Sequence, residues 1–332
     1  MRRVIIILFA LHISLFTMHA TAQQSCGVLF YNLENLFDTT DNPDTDDQDM
    51  HPLSDKAWNE ERYRRKLTDI ARVIGAFAHQ HSYPAIIGVA EVENRSVLED
   101  LVKVEELQPA HYDICYFDSP DRRGIDVAML FRPDIFHIKG CKAIATTYPK
   151  YTRDILTAWG TMNEEEIFIA VVHWPSRTSG VKSSEPKRMS CAKQLRSIID
   201  SVQHHTPATK IIIMGDMNDN PNNRSIKEVL QVKSQLKNID TTDLYTPFAK
   251  IKGGSSVYDN KWNKYDNIIV SANLLNPSGI HIRPTEKNLL GAIFTLPFML
   301  DTHGYPLPTY RGTDYMGGVS DHLPIYIILE TT

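Results

Sequence analysis

One stretch, residues 211–219, restricts the possible folds more than any other: IIIMGDMND. Three isoleucines and a methionine in a row fit a strand buried on both faces, inside a sheet covered by other layers. The run stops at Gly215; Asp216, Asn218 and Asp219 follow, then Pro221. The chain must therefore turn where a rigid strand delivers an acid and an amide. Asn and Asp are also common turn residues, so a plain Asx-rich turn explains this stretch equally well when it is taken alone.

The pattern recurs along the chain. Residues 26–31 form a compact strand pattern ending at Asn32, and AIIGVAEVENR, opened by Pro84, reads as a buried strand ending on Glu91. The strand expected at 125–131 has Asp126 near its start, and the one at 167–173 ends on His173 and the cluster HWPSR. Asp266 precedes a strand at 267–271, and Ser320-Asp321-His322 lies in a loop before the last strand. Further strands are expected at 111–117, 136–147 and 151–159. Residues 58–81 read as a helix, with Tyr63, Leu67, Ile70, Ile74 and Phe77 at three- and four-residue spacing. Helices are also expected at 96–106, capped by Asn94 or Ser96, at 185–204, and briefly at 225–231. Residues 289–300 are apolar and fit either state. The seven aspartates between 38 and 55 lack the glycine and distal glutamate of a calcium loop, so this run reads as a solvated loop. No short repeat or low-complexity linker divides residues 23–332, which read as a single domain.

Asn32, Glu91, Asp126, His173, Asp216 with Asn218, Asp266 and Asp321-His322 thus all stand at strand ends or in adjoining turns. Buried carboxylates and imidazoles are costly without partners, so this many converging on one sheet edge favours a site over a set of independent core residues. The set offers hard oxygen ligands and two imidazoles, but no serine or cysteine nucleophile paired with them. Oxygen donors without thiolates favour Mg²⁺ or Mn²⁺, with Ca²⁺ as a further option, over zinc. A hard cation with two histidines suits attack of water on a phosphate ester. Each histidine then needs a carboxylate to fix its tautomer, for which Asp266 and Asp126 are available. Arg177 and Arg188 are candidates for clamping a phosphate. Glu93 reads as a surface or cap residue, His204-His205 as a pair favourable to a helix dipole, and Trp174 and Trp262 as stacking or packing residues.

The ordered set YNLEN, VAEVEN, GIDVAMLFR, VVHWPSR, IIMGDMND, KYDNIIVS and VSDHLPIY resembles the endonuclease/exonuclease/phosphatase superfamily of pancreatic deoxyribonuclease-like phosphoesterases, with segments like those of secreted bacterial nucleases. The resemblance spans residues 28–328. It implies an α/β (α+β) four-layer sandwich of two mixed β-sheets packed face to face and flanked by helices, with the site at one end. It also implies roles. Glu91 is the principal metal ligand, with Asn32 and Asp321 beside it. His322 is the general base on water, oriented by Asp266. His173 protonates the leaving group or holds a phosphate oxygen, with Asp126 as its partner. Asp216 and Asn218 orient water and phosphate. Ala90 before Glu91 and Asn267 after Asp266 depart from the family's usual Gln and Tyr, which bears on the subfamily.

Composition narrows compartment and substrate. Arg2 and Arg3, the apolar run 4–16 and Ala20-Thr21-Ala22 form a signal-peptide pattern, cut before Gln23. Its apolar core is too short to span a bilayer, and no later segment is long enough. Lipid anchoring at Cys26 ranks below simple export, because Gln23-Gln24-Ser25 is a poor lipoprotein junction. Cleavage removes two arginines and no acids, taking the formal charge from −5 to −7. That balance is unlike a non-specific nucleic-acid binder, though it does not exclude a nucleic-acid substrate. A nuclease is the first expectation. A phosphatase or phosphodiesterase for inositol, lipid or sugar phosphates is the alternative, and a non-catalytic binding module is third. No stable protein partner is inferred. In an oxidising compartment Cys26, Cys115, Cys141 and Cys191 permit one or two disulfides, in pairings the sequence does not separate.

Overall fold

The computed structural model describes residues 25–285 and 288–331; the leader expected at residues 1–22 lies outside the described residues. In chain order the strands and helices begin with β1 (Ser25–Leu36), α1 (Glu60–His81), β2 (Ile86–Val92), α2 (Arg95–Val102), β3 (Asp113–Tyr116), β4 (Asp126–Phe131) and β5 (His137–Ile144). They continue with β6 (Ile155–Met162), β7 (Glu165–His173), α3 (Val181–His205), β8 (Lys210–Asp216), β9 (Val232–Lys233), β10 (Leu244–Tyr245), β11 (Ser256–Tyr258) and β12 (Lys261–Asn263). The last are β13 (Asp266–Ser271), β14 (Ile280–Arg283), β15 (Ala292–Ile293), β16 (Tyr310–Arg311), β17 (Asp314–Tyr315) and β18 (Ile325–Thr331).

Two seven-stranded sheets result. One runs β14-β18-β1-β2-β4-β3, with β15 also on β18; the other runs β5-β6-β7-β8-β13-β10-β9. Both are mixed: β1 is parallel to β2 and β7 to β8, while β18, β4 and β13 run antiparallel to their partners.

Strand periodicity explains the layering. Successive side chains of β1 point to opposite faces. Leu29 and Tyr31 pack outward with Leu67, Ile70, Ile74 and Phe77 of α1, whereas Val28 and Phe30 point inward. The inward set meets Ile169, Val171, Ile212, Met214 and Ile268 of the other sheet. On the far side Ile211 and Ile213 pack with Leu195 and Ile199 of α3. The run III therefore feeds two cores at once, so it shows no polar alternation. The order α/β/β/α is the four-layer sandwich expected. Helix α1 is started by Asn59, whose side chain accepts from Arg62 N, with Glu60 and Glu61 in the first turn, where acids favour the dipole.

Several boundaries differ from the sequence expectation. Strand β1 continues past Asn32 to Leu36 through an irregularity in its pairing with β2. Helix α2 ends at Val102 rather than Glu106, and residues 225–229 form a π-helical turn. The apolar segment 289–300 holds the two-residue strand β15 and a 3₁₀ turn at Pro297–Met299. The acidic run is a loop with a 3₁₀ turn at Gln48–Met50. All four cysteines are free thiols. Among the described residues no helix is long and apolar enough to cross a membrane.

Candidate active site

Sheet register gathers the polar strand ends. Strands β7 and β8 are parallel and in step, so His173 lies opposite Asp216; antiparallel β13 begins at Asp266, opposite Asp216 on the other side. In the first sheet Asn32 pairs with Ala90 just before Glu91, and β18, antiparallel to β1, is entered through Asp321-His322. Parallel strands contribute their ends and antiparallel strands their beginnings, so both sheets deliver these groups to the same end. Gly215 permits the step: a Cβ there would lie 2.0 Å from Val172 O. Glu34, Asn35, Glu91 and Asn218 all have left-handed φ between 49° and 61°. Such backbone is costly for non-glycine residues and collects at functional sites.

Asp216 is the centre. Its Oδ2 lies 3.7 Å from His173 Nε2 and 3.8 Å from His322 Nε2, so both imidazoles face one carboxylate. Its Oδ1 accepts from Asn218 N at 2.8 Å, and Oδ2 also accepts from Asn32 Nδ2 at 3.1 Å. Glu91 Oε1 is 3.8 Å from His173 Nε2, and its Oε2 accepts from Asn35 N at 3.1 Å. His322 Nδ1 is 2.7 Å from Asp266 Oδ2, which fixes the ring. Ser320 Oγ donates to Asn32 O at 2.7 Å and accepts from His322 N, tying this turn to β1. Asp321 is 54% exposed and stands at the mouth, its Oδ1 3.9 Å from His322 Nε2.

The two histidines are driven apart in proton affinity. Burial, with the charges of Arg153, Arg123 and His322, holds His173 well below the usual value, so it is neutral. Arg153 sits directly behind it, donating to His173 O and Trp174 O and pairing with Asp121. For His322 burial works downward, but the summed pull of Asp266, Asp321 and Asp216 outweighs it and holds the imidazole well above the usual value. Asp216 is raised to about 6 by burial and then by Asp266, against the pull of His322. Titratable groups pushed apart in this way mark acid and base assignments.

Three expected residues are placed differently from the sequence reading. Asp126 does not partner His173: its carboxylate accepts from Tyr116 Oη at 2.6 Å and from Ser119 N and Oγ. His173 Nδ1 is buried without a hydrogen-bond partner. The antiparallel register β2/β4 sets Asp126 opposite Val92, beyond the cleft row. Burial raises Asp126 to about 7. Because the folded state binds this proton more tightly than the unfolded chain, stability falls as pH rises from about 4 to about 7. Asp126→Asn should remove that slope, improving relative stability at pH 8 over pH 4 by a few kcal/mol; parallel denaturation-against-pH curves would contradict the assignment.

The two arginines are likewise committed to structure. Arg188 is fully buried, its Nη1 bonding Ser184 Oγ at 2.8 Å and its Nε 2.9 Å from Asp219 Oδ2 in an ion contact rather than an aligned hydrogen bond. Arg177 pairs with Asp219 and bonds Asn218 O and Asn223 Oδ1. Neither guanidinium is free to clamp a phosphate. Their joint partner Asp219 fixes the loop that carries Asn218, whose Nδ2 donates to Trp174 O. Glu93 is buried rather than a surface or cap residue. It accepts from Asp38 N, while Asn94 caps α2. Trp174 is buried and serves packing, whereas Trp262 is exposed, with its ring edge-on to Tyr305.

Glu34 and Lys66 were not singled out from sequence. Glu34 accepts from Thr309 N and Asp321 N, and Lys66, a buried residue, donates from Nζ to Glu34 O, Thr309 Oγ1 and Val319 O. The signal was available: Lys66 interrupts the apolar stripe of α1 between Tyr63 and Ile70.

The donor set fits a hard divalent cation. Glu91 and Asp216 converge on one neutral amide, Asn32 Nδ2, and Glu34 beside them is raised to about 7 by burial and by Asp321. Carboxylates crowded this way are relieved by a cation with oxygen ligands. Asn32 enters such a set only with its amide turned, since its Oδ1 accepts from Glu34 N at 3.0 Å. Among the described residues, one group of three acid or histidine ligand atoms, on Asp216, Asp266 and His322, lies within 4.8 Å of one another. Glu91 stands beside that group, sharing Asn32 Nδ2 and the approach to His173 Nε2 with Asp216. The run 38–55 forms no such group.

A family model described as Endonuclease/Exonuclease/phosphatase family matches residues 27–331. No curated protein sequence matches significantly. Among solved structures, an endonuclease/exonuclease/phosphatase family protein from Bacteroides thetaiotaomicron is similar at 17% identity and TM-score 0.58, covering 93% of this chain and 99% of that one. The human Nocturnin catalytic domain with bound sulfate is similar at 16% identity and TM-score 0.58, covering 93% and 98%. D. rerio TDP2 complexed with a single-strand DNA product is similar at 15% identity and TM-score 0.56, covering 92% and 99%. At these identities the likeness establishes the shared fold.

Proposed function

Because the chain belongs to the endonuclease/exonuclease/phosphatase family, we propose that it is an exported, divalent-metal-dependent phosphoesterase, and specifically a nuclease that hydrolyses phosphodiester bonds with activated water. The observation that carries this reading is the pair of imidazoles facing Asp216 Oδ2 from 3.7 and 3.8 Å, one neutral and the other backed by Asp266. A cation bound at Glu91 and Asp321 would supply charge neutralisation at the phosphate and weaken the hold of His322 on its proton. His322, once neutral, takes the proton of the attacking water at Nε2, and Asp266 at Nδ1 stabilises the imidazolium formed. His173 has too low a proton affinity to be charged at neutral pH. It therefore suits a hydrogen bond from Nε2 to a phosphate oxygen better than protonation of the leaving group. Asp216 and Asn218 orient water and phosphate between the rings.

The nuclease reading is supported by the single-strand DNA product in one structural relative. The acidic charge of the chain favours the alternative, a phosphatase or phosphodiesterase for inositol, lipid or sugar phosphates. Export rests on residues 2–22 and is checked by the amino terminus of the mature chain, Gln23 if it holds. The activity test is hydrolysis of bis-p-nitrophenyl phosphate with Mg²⁺ or Mn²⁺, abolished by EDTA, together with degradation of plasmid DNA or RNA. Phosphate release from inositol phosphates alone would replace nuclease by the alternative, and no turnover of any ester would sink both. Glu91→Ala should raise the metal concentration for half activity at least about tenfold while lowering kcat. An unchanged metal requirement would remove Glu91 from the ligand set.

A further inference from the structure

Strands β3 and β5 are the terminal strands of the two sheets. Contacts of β4 with β6 and β7 lay these two ends on the same side of the sandwich. Cys115 on β3 points into the inter-sheet core and is 2% exposed; Cys141 on β5 is partly buried and packs against the same core. The proton affinity of the Cys115 thiol is pushed up first by burial and then by the neighbouring Cys141 thiol. We propose that Cys115 and Cys141 form a disulfide that staples the free edges of the two sheets together when the chain meets a thiol-disulfide oxidant.

The other thiols are excluded by the fold. Cys26 is on β1, separated from β3 by β2 and β4, which at strand spacing is about 14 Å. Its Sγ donates to Met162 Sδ at 3.8 Å. Cys191 is on α3, in the outer core on the opposite face of the second sheet, with its Sγ on Tyr148 O. Disulfide geometry requires Cα atoms within about 7 Å. Of the possible pairings, 115–141 is the one the layers bring together.

The chemistry balances with an oxidant of the glutathione-disulfide or protein-disulfide class. Cys141, the more accessible, attacks the oxidant's disulfide as thiolate, forms a mixed disulfide and releases one thiol. Cys115 then attacks the Cys141 sulfur and releases the second. Two protons and two electrons pass from the pair to the oxidant, which leaves as two thiols. Burial pushes the Cys115 thiol up, which assigns it the second, resolving step.

The full chain, purified in reductant and then exposed to glutathione disulfide, should fall from four free thiols to two when denatured without reduction. Mass spectrometry should show a linked peptide pair carrying Cys115 and Cys141 that dithiothreitol separates. Oxidation should raise the Tm by about 5 °C, since the link closes a loop of moderate length. Cys141→Ser, at the less buried position, and Cys115→Ser should each lose the link and the Tm rise, whereas Cys26→Ser and Cys191→Ser should keep both. A thiol count that stays at four, or a link through Cys26 or Cys191, overturns the pairing; a link without a Tm rise overturns the staple.

Discussion

Replacing His322 by alanine should lower kcat for bis-p-nitrophenyl phosphate by a factor on the order of 10²–10⁴, the usual worth of a positioned base. The imidazole is the group joined both to Asp266, at 2.7 Å, and to the cleft facing Asp216. Asp266→Asn should be less severe, because the ring remains but loses the charge that supports its proton affinity. The double variant should be little worse than His322→Ala, since the two act as one unit. Removing the ring also strands the buried Asp266 carboxylate, whose Oδ1 already lacks a partner. Thermal melts must therefore accompany the rates. A folded His322→Ala protein within tenfold of the parent would remove His322 from the mechanism.

The largest loss of stability should come from Arg188→Leu, away from the chemistry. Arg188 and Asp219 are 1% and 3% exposed, and their charges are 2.9 Å apart. Removing one member of a buried pair typically costs about 3–5 kcal/mol, because the other is left uncompensated. For a chain of this size that is a fall in Tm on the order of 10 °C. Adding Asp219→Asn should recover part of the loss, because the charge left behind is what costs most. If the double variant melts at or below the sum of the two singles, the cost lies in packing and not in charge. Activity of Arg188→Leu should fall as well, since Asp219 and Arg177 hold the loop that positions Asn218.

The strand ends were legible in sequence for a local reason. An apolar run buried in a sheet leaves few explanations for the acid, amide or imidazole that closes it, and the runs ending at Glu91, His173 and Asp216 were read that way. The layers were also legible, because α1 and α3 carry one apolar stripe each while the Ile211 run carries none. Partners were not. Asp126 and Asp266 look equally suited to orient a histidine, yet only Asp266 lies in register with the cleft row. Arg177 and Arg188 look like phosphate clamps until Asp219 is found between them. Glu34 and Lys66 escaped because a buried charge is recognised by what surrounds it, and their surroundings come from residues 309–321, far along the chain.

The stretch IIIMGDMND illustrates the division. By itself the sequence determined a strand buried on both faces, stopped by a glycine and tipped with an acid and an amide, since period, burial and turn chemistry act over a few residues. Only the tertiary structure decided that Asp216 stands between two histidines of opposite proton affinity, beside Glu91 and Asn32. Those relations depend on sheet register and on distances of three to four ångströms between segments far apart in the chain, where electrostatics acts through space and not along the chain.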